Sequence, residues 1–387
     1  MTVVHLTDSA CTAEALMELS AVARAGHTIV RLGPAPLPPT AARVVNIHRP
    51  MGSTALLALR PALLPRGDVL CAWSIPCAKL AARIAGRSAR TNPPAVILAG
   101  VAADKTSRDR GLLALACAGR LTIVVPTAPD ALQVTGALAL AASARKRASS
   151  PERTVVIPPP GLIASAPAMV AWAPGLVASA PETAFTSAGT TDLRRLAGAG
   201  DDNILVAGPY TLNCLPAVRP VIWAFAIARL LWPSLRLVLP WGGQALPAVR
   251  RFAEATGFGK DITIAPDADP LAVLGACDIA LLCGPVTPVM LASAMSAGLA
   301  IAAPDTPAVR ALTGAAQAAR LFAPNLPREG SAALLDLLDQ PNLRGQLAQS
   351  ARALAQQELG PDRVMALWSD LFVRARRCIG EPPGPSV

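Results

Sequence analysis

The sequence predicts an α/β protein with two tandem domains, each containing a parallel β-sheet covered by helices on both faces. The chain has 387 residues, which is longer than one ordinary hydrophobic core requires. Apolar residues make up 52% of it and charged residues 16%, and this balance excludes a disordered chain. Short, almost continuously apolar segments alternate with helical patterns, as buried parallel strands require.

The first half opens with a βαβ pattern. A β-branched run at 2–6 precedes a helical pattern that ends at Gly26, and residues 27–32 predict the next strand. Such a unit implies a parallel pair joined by a right-handed crossover. Further strands are predicted at 68–73, 94–100, 121–126 and 154–160, and helices at 75–86 and 127–141.

A change of composition separates the two halves. From Pro159 to about Gly200 the chain is rich in Ala, Pro, Gly and Ser and has no clean period. The predicted organisation is an N-terminal domain at 1–165, an interdomain segment at 166–200, a C-terminal domain at 201–360, and a last helix with its tail at 361–387.

The second half resumes the alternation. Its predicted strands are 203–209, 235–243, 261–266, 277–283 and 299–304. Its predicted helices are 217–232, 245–259, 269–276, 288–298, 328–340, 342–360 and 361–377.

Composition also limits the function classes. The net charge of +10 would attract phosphates or anionic lipid, but no nucleic-acid-binding module is recognisable. The eight cysteines form no C-x-x-C pair, and the histidines lie in separate elements, so a zinc site is not expected. Free thiols and the lack of a signal-peptide pattern favour a reducing cytoplasm. The uncharged run 279–304 is interrupted by Gly and Pro, which favours buried α/β elements over a membrane span.

Several short motifs follow one another in a fixed order along the chain. The first domain carries "RAGHTIVRL" and ends in "TVVIPPPG"; the second carries "LRLVLPWGGQ", "CDIALLC", "SAMSAGLAIAAPD" and "QSARALAQQ". In this order the motifs resemble those of the group-1 glycosyltransferases of family 4, which have the GT-B fold. The resemblance implies two Rossmann-like domains facing across a cleft, with the last helix crossing back to the first domain. It also implies a nucleotide-sugar donor bound by the second domain, a glycan or lipid-linked acceptor bound by the first, retention of configuration, and no essential metal.

The charged positions of that family are replaced in this chain. The two glutamates that bind the donor align with Pro285 and Ser293, and the region that carries a diphosphate-binding Arg and Lys contains only Arg219. The strand end that carries a histidine in the family is "CAW" here, and His5 and His27 are interpreted as a strand residue and a helix-end residue.

The remaining candidates for donor binding are glycines, hydroxyls and two charged side chains. Each has a structural alternative, such as a tight turn, a helix cap or a solvated surface position. The candidates are Gly242, Gly243, Thr287, Ser293, Asp305 and Arg219.

Two functions remain open. One is sugar transfer from a nucleotide-sugar donor to an undetermined acceptor. The other is an inactive GT-B protein that binds a glycan, a nucleotide or a protein partner without turnover. A dehydrogenase is disfavoured because no G-x-G-x-x-G follows a strand. For either function we expect a cytoplasmic protein, with peripheral contact to the inner face of the membrane compatible with the charge.

Overall fold

The chain forms two compact units, Met1–Pro158 with Asp362–Val387 and Pro159–Pro361. The computed structural model describes residues 2–8, 19, 27–32, 42–47, 68–87, 95–99, 121–125, 154–156, 194–195, 197–200, 202–209, 215–240, 245–265, 270–284, 286–314, 317–324, 326–359 and 361–380. The predicted interdomain segment, 166–200, and the predicted helix at 127–141 lie largely or wholly outside these residues.

The first unit contains a parallel sheet of seven strands in the order β3-β2-β1-β4-β5-β6-β7. The strands are β1 (Val3–Asp8), β2 (Thr28–Leu32), β3 (Arg43–Ile47), β4 (Val69–Ala72), β5 (Ala95–Leu98), β6 (Leu121–Val125) and β7 (Thr154–Val156). All of these except β3 were predicted. The edge strand β3 was missed because Arg43 and Val44 are exposed, so it lacks the continuous apolar run of a buried strand.

The helices follow the strands as crossover connections require. They are α1 (Ile75–Arg87), α2 (Leu215–Leu231), α3 (Leu246–Ala255), α4 (Pro270–Ala276), α5 (Pro288–Ala297), α6 (Pro307–Leu312), α7 (Pro327–Asp339), α8 (Pro341–Glu358) and α9 (Pro361–Gly380). A 3₁₀ turn, Gly259–Asp261, precedes one strand of the second unit. The short helix α6 was not predicted. None of these helices combines the length and the apolar character that crossing a membrane requires.

Two separate clusters cover the faces of the first sheet. On one face, Leu80 and Ala81 of α1 pack against Val4 and Leu6 of β1. On the other face, Trp368 and other residues of α9 join a buried cluster with residues of β1, β4 and β5. The last helix of the chain therefore completes the core of the first unit.

The second unit contains a parallel sheet of six strands in the order β10-β9-β8-β11-β12-β13. They are β8 (Ile204–Ala207), β9 (Leu235–Pro240), β10 (Ile262–Ala265), β11 (Ile279–Leu281), β12 (Ala300–Pro304) and β13 (Arg320–Phe322). Only β13 was not predicted, since it has three residues and begins with an exposed arginine. Helices α2 and α7 pack together on one face of this sheet, where Phe225 and Leu334 are fully buried.

A buried carboxylate forms two ion pairs at the amino-terminal side of this sheet. Asp261 is 4% exposed and lies directly before β10. Its Oδ2 lies 3.2 Å from Arg229 Nε of α2, and its Oδ1 lies 3.2 Å from Arg236 Nη1 of β9. Because one carboxylate balances two partly buried guanidiniums, the end of α2 is held to two neighbouring strands.

Replacing this carboxylate should destabilise the second unit. We expect Asp261→Ala to lower the free energy of unfolding by about 3 kcal/mol, because it leaves two arginines without their counter-ion in a buried site. Urea unfolding followed by circular dichroism measures the change. Asp336→Ala is the matched control: the Asp336–Arg320 pair is 36% and 48% exposed, so its loss should cost less than about 1 kcal/mol. Equal losses in the two variants would contradict the assignment.

Candidate functional site

The second sheet has a topological switch point between β8 and β11. From β8 the chain adds β9 and β10 on one side, and it then returns to add β11, β12 and β13 on the other. In open parallel sheets, ligands bind outside the carboxyl ends of the strands at such a point. The candidate site is therefore the edge formed by the residues that follow β8, β11 and β12.

Two glycines allow close backbone packing at this edge. Gly284 follows β11 with φ 85°, and a Cβ there would lie 3.0 Å from the carbonyl oxygen of Ala217 in the first turn of α2. Gly208 follows β8, and a Cβ there would lie 2.4 Å from Leu239 Cδ2. The loop after β11 therefore rests directly on the start of α2, across the switch point.

Thr287 begins helix α5 at this edge. Its side chain accepts a hydrogen bond from the N–H of Met290 at 3.3 Å, and Pro288 occupies the first helical position. Thr306 makes the equivalent bond at the start of α6, accepting from the N–H of Val309 at 3.3 Å. Both hydroxyls thus serve as helix caps, and the positive end of the α5 dipole faces the edge.

Asp305 is held by a cation at the carboxyl end of β12. Arg310 of α6 donates from Nε and Nη2 to the two carboxylate oxygens of Asp305. These hydrogen bonds lower the pKa of Asp305, so the carboxylate is ionised at neutral pH. The side chains are 32% and 54% exposed, which leaves both open to solvent. Asp305 was predicted from the sequence, whereas Arg310 was not. The pattern that would have indicated it is an arginine five residues after the aspartate.

Ser293 is a correction to the sequence-based set. It is fully buried in α5, and its hydroxyl donates to the carbonyl oxygen of Val289 at 2.8 Å. The side chain is enclosed by the core and bonded within its own helix, so it is not presented to a ligand at the edge.

Arg219 has an aromatic partner on the outer side of α2. Its guanidinium carbon lies 5.0 Å from the ring centroid of Phe252 in α3. This is a cation–π contact, and the structure does not bring the side chain together with Thr287 or Asp305. Gly242, Gly243 and Pro285 lie outside the residues that the structure describes.

Burial also determines the protonation state of the Cys283 thiol near the switch point. Cys283 lies directly before Gly284 and is 5% exposed. Burial raises the pKa of its thiol to about 12, so the side chain stays protonated and is a poor nucleophile. Within the described ranges, no three His, Cys, Asp or Glu side chains come together as metal ligands would.

In the first unit, the carboxyl end of β4 is part of the hydrophobic core. Trp73, at the "CAW" strand end, is 1% exposed and stacks on Trp368 of α9 with centroids 5.7 Å apart. Its indole Nε1–H donates to His5 Nδ1 at 3.2 Å, which places the hydrogen of His5 on Nε2. His5 Nε2 lies 3.0 Å from His27 Nδ1 and donates to it. The rings of His5 and His27 both meet Phe372 of α9 edge-on.

This chain of hydrogen bonds requires a neutral His5. The imidazole is fully buried, and burial, together with the neighbouring His27, lowers its pKa from 6.5 to about 3. The interpretation of His5 as a strand residue is confirmed, since it lies in β1 and faces the α9 cluster. The helix-end interpretation of His27 depends on residues outside the described ranges.

The comparisons with known proteins identify the fold. Neither a family model nor a curated protein matches the chain. HepE from Anabaena in complex with UDP-glucose is similar at a TM-score of 0.70 and 14% identity, over 97% of this chain and 100% of HepE. Sucrose-phosphate synthase from Thermosynechococcus elongatus is similar at 0.66 and 14%, over 98% and 100%. WaaG, a glycosyltransferase involved in lipopolysaccharide biosynthesis, is similar at 0.62 and 13%, over 99% and 100%.

These likenesses, with the two parallel sheets, show a Rossmann-like α/β fold of two units in the GT-B class. The predicted fold class is thereby confirmed. The cleft between the two units stays a prediction.

The contact between Gly284 and Ala217 predicts a position-specific cost for an added methyl group. Gly284→Ala should destabilise the second unit by about 2–3 kcal/mol, from positive φ and from the clash with a backbone carbonyl. The control is Gly257→Ala, since Gly257 has φ 79° but open space around its Cβ position. It should cost about 1 kcal/mol. Differential scanning calorimetry of both variants tests this; a smaller effect at Gly284 than at Gly257 would refute it.

The burial of neutral His5 predicts an acid-sensitive component of stability. The native pKa lies below the unfolded value, so this stability is complete above about pH 6.5 and is lost as pH falls towards 3. The slope should approach about 1.4 kcal/mol per pH unit in that window. Urea unfolding at pH 4, 5, 6 and 7 measures it. His5→Gln, which does not titrate, should show a shallower dependence; identical slopes in variant and wild type would exclude the proposed linkage.

Proposed function

We propose that the protein binds a nucleotide sugar at the switch point of the second sheet and transfers the sugar to an acceptor. The observation that carries the proposal is the arrangement at this edge. The loop containing Gly284 packs on α2, and the capped start of α5 lies at the same edge of the sheet. The fold is shared with HepE, which is seen in complex with UDP-glucose. HepE is also seen with UDP and with UDP and glucose.

The groups at the edge suit the parts of such a ligand. A diphosphate is stabilised by a helix N-terminus and by cations, which α5 and Arg310 supply. Sugar or ribose hydroxyls are bound by carboxylates, and Asp305 is the ionised carboxylate beside Arg310. The family-4 glutamates are replaced in this chain, so we expect the donor to be held by the helix end and by the Asp305–Arg310 pair.

The similarity to proteins with bound nucleotide sugar favours a donor site over a scaffold that binds no nucleotide. Donor binding without transfer is the remaining form of the inactive alternative, and a transfer assay separates it from the enzyme.

A ligand screen tests the donor site. We expect one nucleotide among UDP, GDP and ADP, or one of their sugar conjugates, to stabilise the purified full-length protein. At 100 times its dissociation constant, a ligand adds about 2.7 kcal/mol of stability, which a thermal-shift assay detects readily. Binding is expected in the presence of EDTA, since no metal is proposed in the site. Absence of stabilisation by every compound would overturn the proposal.

Charge removal at the edge should weaken the identified ligand selectively. We expect Arg310→Gln to reduce the affinity for the nucleotide diphosphate about tenfold, which corresponds to about 1.4 kcal/mol and is typical of one charge-assisted hydrogen bond. The matched control is Arg320→Gln, which removes an exposed arginine of a second Arg–Asp pair. Arg320 lies at the amino end of β13, whereas Asp305 and Arg310 follow the carboxyl end of β12. Calorimetric titration measures both. Equal weakening by the two variants would argue for nonspecific attraction by net charge.

Transfer is measured as release of nucleotide from the identified donor in the presence of glycan or lipid-linked acceptors. Turnover supports the enzyme. Tight donor binding with no turnover for any acceptor would keep the binding site and reject the transferase.

A further inference from the structure

Helix α2 exposes large apolar side chains along its outer face. Trp223 is 46% exposed, Ile227 37%, and Leu230 and Leu231 are each 68% exposed. The spacing of 223, 227, 230 and 231 places them on one side of the helix. Val218, Ile222 and Phe225 on the opposite side are fully buried in the core of the second unit. The helix thus carries large apolar side chains on both its inner and its outer face, a pattern that is normally found where both faces are covered.

This outer face is held in a fixed arrangement by α3. The ring of Trp223 meets Phe252 edge-on, with centroids 5.8 Å apart and an interplanar angle of 74°. The guanidinium of Arg219 lies over the same Phe252 ring. The apolar stripe and the adjacent cation are therefore presented together on a rigid surface.

Basic residues border the stripe. Arg219 lies one turn before Trp223, and helix α2 contains no acidic residue. In α3, Arg251 directly precedes Phe252 and is exposed, as Arg219 is. At the other end of the stripe, the exposed Asp339 of α7 accepts a hydrogen bond from Trp232 Nε1 at 3.2 Å. The border of the Trp- and Leu-rich stripe thus carries two arginines and one aspartate, in a chain of net charge +10.

We propose that the outer face of α2 docks on an anionic lipid surface. Trp223, Leu230 and Leu231 would enter the interfacial region, and Arg219 and Arg251 would meet headgroup phosphates. Two exposed arginines beside a Trp- and Leu-rich stripe, in a chain of net charge +10, favour an anionic lipid surface. A second copy of the chain is the alternative that the test below separates from it. The contact is peripheral, since α2 has 17 residues and does not qualify as a membrane span.

Vesicle co-sedimentation of the full-length protein tests the docking. We expect binding to vesicles of phosphatidylcholine with phosphatidylglycerol, and at least about tenfold weaker partitioning for the double variant Trp223→Ser, Leu230→Ser. The matched control is Leu367→Ser, which removes an exposed leucine from α9 in the first unit. Replacing only Arg219 by Gln should weaken binding to anionic vesicles and reduce its dependence on salt.

A second measurement does not depend on a polar substitution. Brominated lipid should quench the fluorescence of the wild-type protein more than that of Trp223→Phe, because the indole at position 223 reaches the acyl boundary. The proposal is overturned if the wild-type protein does not bind anionic vesicles, or if the double variant binds as well as wild type. It is also overturned if ultracentrifugation shows a dimer that the double variant abolishes while vesicle binding is unchanged.

Discussion

Both faces of a parallel sheet must be covered by other elements, and this constraint organises each unit of the protein. A covered sheet needs strands that are apolar on both sides, such as Val69–Ala72, whose four residues are all buried. In the first unit, α1 covers one face and α9 contributes to the cover of the other. Because α9 follows the second unit in the sequence, the core of the first unit is complete only after the second unit has been made.

The packing of α9 on this face also explains why His5 is buried and neutral. Trp368 and Phe372 of α9 enclose His5, which removes the imidazole from water and leaves Trp73 and His27 as its hydrogen-bonding partners. A charged imidazole in this position would lose its solvation without gaining a counter-ion, so the neutral form is strongly preferred. The end of β4 is thus closed by aromatic packing and forms part of the core.

The sequence predicts long, apolar or strongly periodic elements well and short edge elements poorly. Strands such as β11 and β12 were predicted because they lie in long apolar runs that end at Gly or Pro. In β3, β13 and α6 such runs are lacking, because exposed polar or apolar side chains interrupt them. The candidate site shows the same limit. Thr287 follows from cap chemistry before a helix that begins with proline. Ser293 could not be placed from sequence, since α5 is buried from Val289 to Met295 and has no polar face to define its rotation.

Helix α2 connects the two surfaces for which functions are proposed. Its first turn touches Gly284 at the switch point, its inner face fills the core around Phe225, and its outer face carries Trp223. A Cβ at Gly284 would lie 3.0 Å from the carbonyl oxygen of Ala217, so the loop and the first turn of α2 are closely packed, and the Asp261–Arg229 pair holds the other end of the helix. Helix α2 is thus held at both ends, and the proposed docking face and the switch-point loop are built on one packed element of the second unit.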